Sequence, residues 1–209
     1  AGIGVTLDRF DQDHLLHAGT ARTAEEGAAV TMYDVGGAKV AHLSYAYGFN
    51  GYRLPADAPF AANQIDVNRI HADTTRARQA GAQLVVVSLH WGTEYQHEPD
   101  GFQRQVAADL LPWPDIDVIV GHHAHVVQPI EQVEGTYVVW GLGNHLTNQP
   151  QVPKSDGLTA VLSATKGEGG RYRITGILAV PTWIEPGTFR VLPIPNTLQD
   201  PNLPPGLRS

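Results

Sequence analysis

Ten histidines and no cysteine define the chemistry open to this chain. Metal ligation and acid–base work fall to imidazoles and carboxylates, while disulfides, thiolate metal sites and cysteine nucleophiles are excluded. Four histidines stand out by position. His90 closes the run Ser88-Leu89-His90 and leads into Trp91-Gly92-Thr93-Glu94-Tyr95, and His122, His123 and His125 follow Gly121 at the end of a second apolar run. Three imidazoles within four residues are hard to bury without partners, and metal or phosphate chemistry would give them one. Glycine at 121 lets the backbone leave a strand sharply. If the segment stays extended, His123 and His125 project to one side and His122 to the other. Glu94 reads either as a carboxylate that fixes an imidazole or as an exposed loop charge. Asn144 and His145 follow an apolar segment at 137–140 and could border the same site, although Asn144 equally suits a turn. His14, His17, His42, His71 and His97 carry no ligand spacing and are assigned structural roles.

The elements that must hold these residues can be read from hydrophobic periodicity. Residues 84–89 form a nearly continuous apolar run of strand length, which predicts a strand covered on both faces, parallel and central. Before it, Asp66 caps a helix whose buried stripe is Val67, Ile70, Thr74 and Ala77, with Gly81 at a left-handed stop. The cycle then repeats. Asp100 and Gln103 form a capping box, Phe102, Val106 and Leu110 the buried stripe, Pro112-Trp113-Pro114 the end, and residues 116–120 a second buried strand. Two helix-to-strand units predict an α/β layered sheet, whose strand carboxyl ends are where such sheets bind ligands. Both histidine groups fall there. A short helix is expected over 4–16, a hairpin from strands at 30–33 and 39–45, and a long loop over 47–63. Further hairpins are expected over 130–140 and 158–180, with a Pro-rich extended tail from 193 to 209 after one domain over 1–192.

Other classes are weakened by charge and motif. The chain carries 14 Lys and Arg against 21 Asp and Glu, a net charge of −7, which repels a phosphate backbone and argues against nucleic-acid binding. No window approaches the roughly 18 apolar residues of a spanning helix, and Ala1 does not open a signal peptide. There is no phosphate-cradling Gly-x-x-x-x-Gly-Lys loop and no Gly-x-Ser-x-Gly elbow. Gly141-Leu142-Gly143-Asn144-His145 lacks the third glycine and the following helix of a dinucleotide site.

Four segments, in order, resemble the CapA family of poly-gamma-glutamate capsule synthesis proteins, over about residues 2–149. They are Leu43-Ser44-Tyr45-Ala46-Tyr47-Gly48-Phe49-Asn50-Gly51, the Ser88 to Tyr95 run, Gly121-His122-His123-Ala124-His125-Val126-Val127-Gln128-Pro129 and Gly141-Leu142-Gly143-Asn144-His145-Leu146-Thr147-Asn148-Gln149. The resemblance implies kinship with the calcineurin-like metallophosphoesterases, and hence an α/β/β/α sandwich with a two-metal site at the strand ends. It implies that His90 is an isolated metal-binding histidine and that paired ligands lie among His122, His123 and His125, with His123 and His125 the preferred pair. Asn144 keeps the family's Gly-Asn, His145 stands where an aromatic is usual, and Glu94, Asn50, Asn144 and His145 are placed beside the metals or the substrate.

Family members begin with a Gly-Asp metal ligand, then Asn-x-Glu and Asn-Asn-His segments. None occurs here, so the resemblance implies a domain incomplete at its amino end by about a third. The expected function is a metal-dependent phosphoesterase or other hydrolase, using Mn, Fe or Zn, provided those ligands are supplied. Its substrate would be an anionic polymer or phosphoester, and its setting the cell envelope, outside the cytoplasm, beside membrane-associated capsule synthesis partners. The alternative is a non-catalytic envelope assembly protein that binds an anionic polymer through a metal or through Arg53. A third reading is a structural segment with no activity. Because the chain is acidic, metal-mediated contact with polyglutamate is favoured over direct contact.

Overall fold

The computed structural model describes residues 2–149 and 153–194. Residues 195–209, most of the expected tail, lie outside the described residues. Two helices come first, α1 (Gly2–Gln12) and α2 (Ala24–Ala28), followed by the expected hairpin of β1 (Thr31–Val35) and β2 (Ala38–Ala46). The helix expected over 4–16 stops early because His14 turns left-handed at φ +55, and Leu15 N bonds back to Phe10 O at 2.8 Å. Helix α2 was not anticipated, although Thr23 caps it by accepting from Glu26 N at 3.1 Å, a Thr-x-x-Glu signature legible in the sequence.

The two helix-to-strand cycles form as the periodicity predicts. They are α3 (Val67–Gln79), β3 (Leu84–His90), α4 (Gly101–Leu110) and β4 (Val118–His122). The side chain of Asp66 accepts from Arg69 N at 2.8 Å, and Gly81 sits at φ +92 after the last turn. β4 begins two residues later than expected because Asp117 points its carboxylate at the sheet, accepting from Val85 N at 2.6 Å and from Arg78 at 2.5 Å. That pair pins the amino ends of the strands, opposite the histidines.

The hairpin of β5 (Ile130–Val133) and β6 (Thr136–Val139) completes a six-stranded sheet in the order β1-β2-β3-β4-β6-β5. β2, β3, β4 and β6 run parallel, and β1 and β5 close the two edges antiparallel. One face of this sheet, with Leu43, Tyr45, Val85, Val87, Leu89, Ile119 and Val138, packs on Ile70 and Ala77 of α3 and on Val106, Ala107 and Leu110 of α4. Phe102, expected in that stripe, is instead 46% exposed, and Gln103 takes the buried position. The capping box is the cause: it folds the Gln103 side chain back to Asp100 N at 3.0 Å and so into the core. The opposite face is polar along its middle, where His42 Nε2 meets Ser88 Oγ at 2.8 Å.

A second, antiparallel sheet follows, β7 (Asp156–Lys166), β8 (Tyr172–Ile184) and β9 (Val191–Pro193). It joins the first through a bridge between Gly143 and Gly157 and the bond from Leu158 N to Leu142 O at 2.8 Å. Pro193, expected to open the tail, belongs to β9 and pairs with Thr182. The α/β class expected from the sequence is the one observed.

Candidate metal centre

β3 and β4 deliver their histidines side by side, since His90 and His122 are register partners and Trp91 N bonds His122 O at 3.1 Å. Beyond His122 the chain does not stay extended. His123 takes φ +95 and His125 φ +57, so the histidines themselves make the turn, with Ala124 buried between them. Backbone of this kind in a residue with a Cβ costs on the order of 1–3 kcal/mol each and persists only where the surroundings enforce it. Here Tyr95, also left-handed at φ +64, donates its N–H to Ala124 O at 2.7 Å. The extended segment expected here is instead a tight turn.

Gly121 is needed for a reason other than the sharp exit expected of it. A Cβ there would overlap the carbonyl oxygen of Trp140 and lie 2.6 Å from Trp91 Nε1. Trp91 Nε1 donates to that same carbonyl at 3.1 Å, and the two indoles stack at 5.5 Å. Gln103 Nε2 reaches the carbonyl at 3.3 Å and Gln128 Oε1 at 2.8 Å, while Gln128 Nε2 donates to Gln96 O at 2.9 Å. This buried network forms a rigid floor under the turn and under the loop that carries Glu94. The sequence marked Gln103 only as the partner of Asp100 in a capping box and Gln128 only as part of the Gly121 to Pro129 segment; their buried contact with each other was not anticipated.

Above that floor, Glu94, His123 and His125 each present a donor atom, and all three atoms lie within 4.8 Å of one another. The His90 ring adjoins them, 4.6 Å from the His123 ring between centroids. His122 is half-buried and stands outside this group, its proton affinity lowered by burial and then by His42. Among the described residues, no hydrogen bond or ion pair engages the Glu94 carboxylate or the His123 ring, so both remain open to a further ligand. Two imidazoles and one carboxylate form a donor set suited to a divalent first-row cation. Burial lowers the pKa of His123, and it holds that of His90 at about 4, with His123, His122 and His125 adding to the effect. Their lone pairs are therefore free at neutral pH.

The tautomer of His125 follows from its neighbour. Asn144 Nδ2 donates to Lys154 O at 2.8 Å, which turns Asn144 Oδ1 toward His125 Nδ1, also at 2.8 Å. An amide oxygen only accepts, so Nδ1 carries a proton, and in the neutral ring the lone pair is then on Nε2. Asn144 thus faces the His125 ring through its amide oxygen.

Two aromatic rings flank the group. Tyr47 lies 4.7 Å from His123 and stacks on His90 at 6.3 Å, and Tyr95 stacks on His125 at 5.8 Å. Tyr47 was legible in principle. It follows Ala46, the register partner of His90 in the parallel pair, and donates its N–H to His90 O at 2.9 Å. His145 is exposed on the turn after Asn144, and Asn50 is exposed at φ +50. Neither makes a hydrogen bond to the donor group. Arg53 lines a different cavity of about 840 Å³ with Phe49, Tyr52 and Leu54. His71 stacks on Trp113 at 4.2 Å and His97 Nδ1 meets Val127 O at 3.0 Å.

Residues 1–149 match the family described as bacterial capsule synthesis protein PGA_cap. The chain is similar to the PGA biosynthesis protein CapA of Bacillus subtilis strain 168, 31% identical over 186 residues that cover 84% of this chain and 46% of that protein. It is also similar to the capsule biosynthesis protein CapA of Bacillus anthracis, 25% identical over 147 residues covering 69% and 36%. The chain therefore spans less than half the length of these relatives. Among solved structures, the calcineurin-like phosphoesterase YfkN from Bacillus subtilis aligns with a TM-score of 0.44 and 16% identity, covering 73% of this chain and 49% of that one.

Proposed function

The chain belongs to the bacterial capsule synthesis protein family, and from that membership we propose that it is a divalent-cation-dependent hydrolase-type domain serving capsule or cell-envelope polymer synthesis. The observation that carries this reading is the convergence of donor atoms from Glu94, His123 and His125 within 4.8 Å. These three residues would hold the cation, Mn, Fe or Zn, with His90 beside them. A divalent cation there supplies Lewis acidity to a phosphoryl or acyl oxygen. The chain's own residues prepare for that chemistry. Asn144 fixes the ring of His125 through Nδ1, the depressed proton affinity of His90 and His123 keeps both neutral, and Tyr47 and Tyr95 present ring faces on two sides.

The substrate class is a phosphoester or an anionic polymer such as polyglutamate. The location is the envelope, beside membrane-associated capsule synthesis proteins, a reading supported by what the relatives are named for. Among the described residues no helix is long and apolar enough to cross a membrane. A second reading, a non-catalytic assembly protein that binds the polymer through the cation, is favoured by one observation. The donor group contains a single carboxylate, Glu94, whereas two-metal catalysis needs bridging anionic ligands.

One experiment separates the two. With Mn²⁺ present, the chain is incubated with bis-p-nitrophenyl phosphate and, in parallel, with poly-gamma-glutamate. The hydrolase reading predicts product release that a chelator abolishes. Chelator-sensitive retention of polymer without release from either substrate contradicts it and supports the assembly reading.

A further inference from the structure

We propose that Lys154 recognises the anionic part of the substrate, an inference that rests on the reading of the Glu94, His123 and His125 group as the reaction site. Lys154 Nζ lies 3.9 Å from the centroid of the Tyr95 ring, and that ring stacks on His125 at 5.8 Å. The ammonium is thus one aromatic ring away from a donor imidazole. Its backbone is tied to the same place, because Asn144, whose Oδ1 faces His125, donates from Nδ2 to Lys154 O at 2.8 Å. Tyr95 is fixed in turn by its bond to Ala124 O. Both ends of Lys154 are therefore positioned against the His123 to His125 turn.

Among the described residues its charge is not paired with a carboxylate: none lies within 4.0 Å of Lys154 Nζ, although the chain has 21 acidic residues to 14 basic ones. A ring face takes one side of an ammonium and leaves its other N–H donors for oxygen acceptors. The ligand chemistry that fits is an oxyanion, the phosphate of a phosphoester or the carboxylate of a polyglutamate unit, adjacent to the bond that reacts. A chain of net charge −7 repels such a substrate at long range, so a fixed local cation is needed where it docks.

The test measures equilibrium binding of inorganic phosphate and of tri-gamma-glutamate at low ionic strength, with and without Mn²⁺. It compares the unaltered chain with Lys154→Met, which keeps the apolar stem over Tyr95, and Lys154→Arg. The dissociation constant of at least one probe is expected to rise about fivefold or more in Lys154→Met and to stay within about twofold in Lys154→Arg. The probe with the larger change identifies the source of the anion. Binding by Lys154→Met that equals the unaltered chain for both probes, in both conditions, overturns the inference. A clear affinity difference without turnover keeps the role of Lys154 and removes the hydrolase reading. Turnover with no affinity difference does the reverse.

Discussion

His123→Ala is expected to strip the bound cation from the chain and to abolish chelator-sensitive hydrolysis. Residues that merely orient a ligand cost about 10–100-fold in metal affinity when removed, and removal of a donor should exceed that. His123 also lies at the hub of the imidazole group, with His90 at 4.6 Å and His125 at 6.1 Å between ring centroids. Its backbone, at φ +95, supplies an internal control. Alanine keeps the strained conformation and loses only the imidazole, whereas glycine relieves the strain as well. His123→Gly should therefore melt above His123→Ala while both lose the metal. In the unaltered chain, Mn²⁺ at about 100 times its dissociation constant should add roughly 2.7 kcal/mol of stability. Neither variant should show that gain. Metal analysis after dialysis, with melting curves in the presence and absence of Mn²⁺, reads all three effects. Near-stoichiometric metal in His123→Ala would remove His123 from the site.

Gly121→Ala should be the most damaging of the Gly→Ala changes among the described residues, costing about 3 kcal/mol or more. Overpacking commonly costs about 1–3 kcal/mol where side chains can shift, but here the new Cβ meets the backbone carbonyl of Trp140, with Trp91 Nε1 at 2.6 Å. That carbonyl is held by Trp91 and Gln103 together. Relief requires β4 to separate from β6, which displaces the turn that carries His123 and His125. Stability and metal binding should fall together, as read by urea unfolding and metal titration. A loss under about 0.5 kcal/mol would mean that the strand moves freely at this point and that the floor under the turn is not rigid.

The order of helices and strands was legible because burial imposes a period. The run at 84–89 and the stripe Ile70, Thr74, Ala77 can satisfy a core in one way only. The caps at Asp66 and Asp100 were legible for a similar reason, since each must satisfy specific backbone N–H groups. Where the local signal was followed too far, it failed at Phe102, because the capping box drew Gln103 inward and turned the aromatic out. The extended geometry offered for His122, His123 and His125 was not the one that formed, although the donor atoms of His123 and His125 do lie together with that of Glu94. Two left-handed histidines make the turn, and no local rule predicts that for a residue with a Cβ. Glu94 was left between two roles, and the loop that carries it is held at Gln96 and Glu98 by Gln128, which in turn bonds Gln103 25 residues away. Lys154 had no sequence signal at all. Its place follows from two contacts distant in sequence, the bond from Asn144 Nδ2 to its carbonyl and the Tyr95 ring under its ammonium.

The most direct measurement is anomalous diffraction from crystals grown with Mn²⁺. One peak is predicted, within about 2.0–2.2 Å of Nε2 of His125, a ring nitrogen of His123 and a carboxylate oxygen of Glu94, with His90 adjacent. A peak between His122 and His42 instead, or none at the strand ends under saturating Mn²⁺, would contradict the assignment of these residues as a cation site.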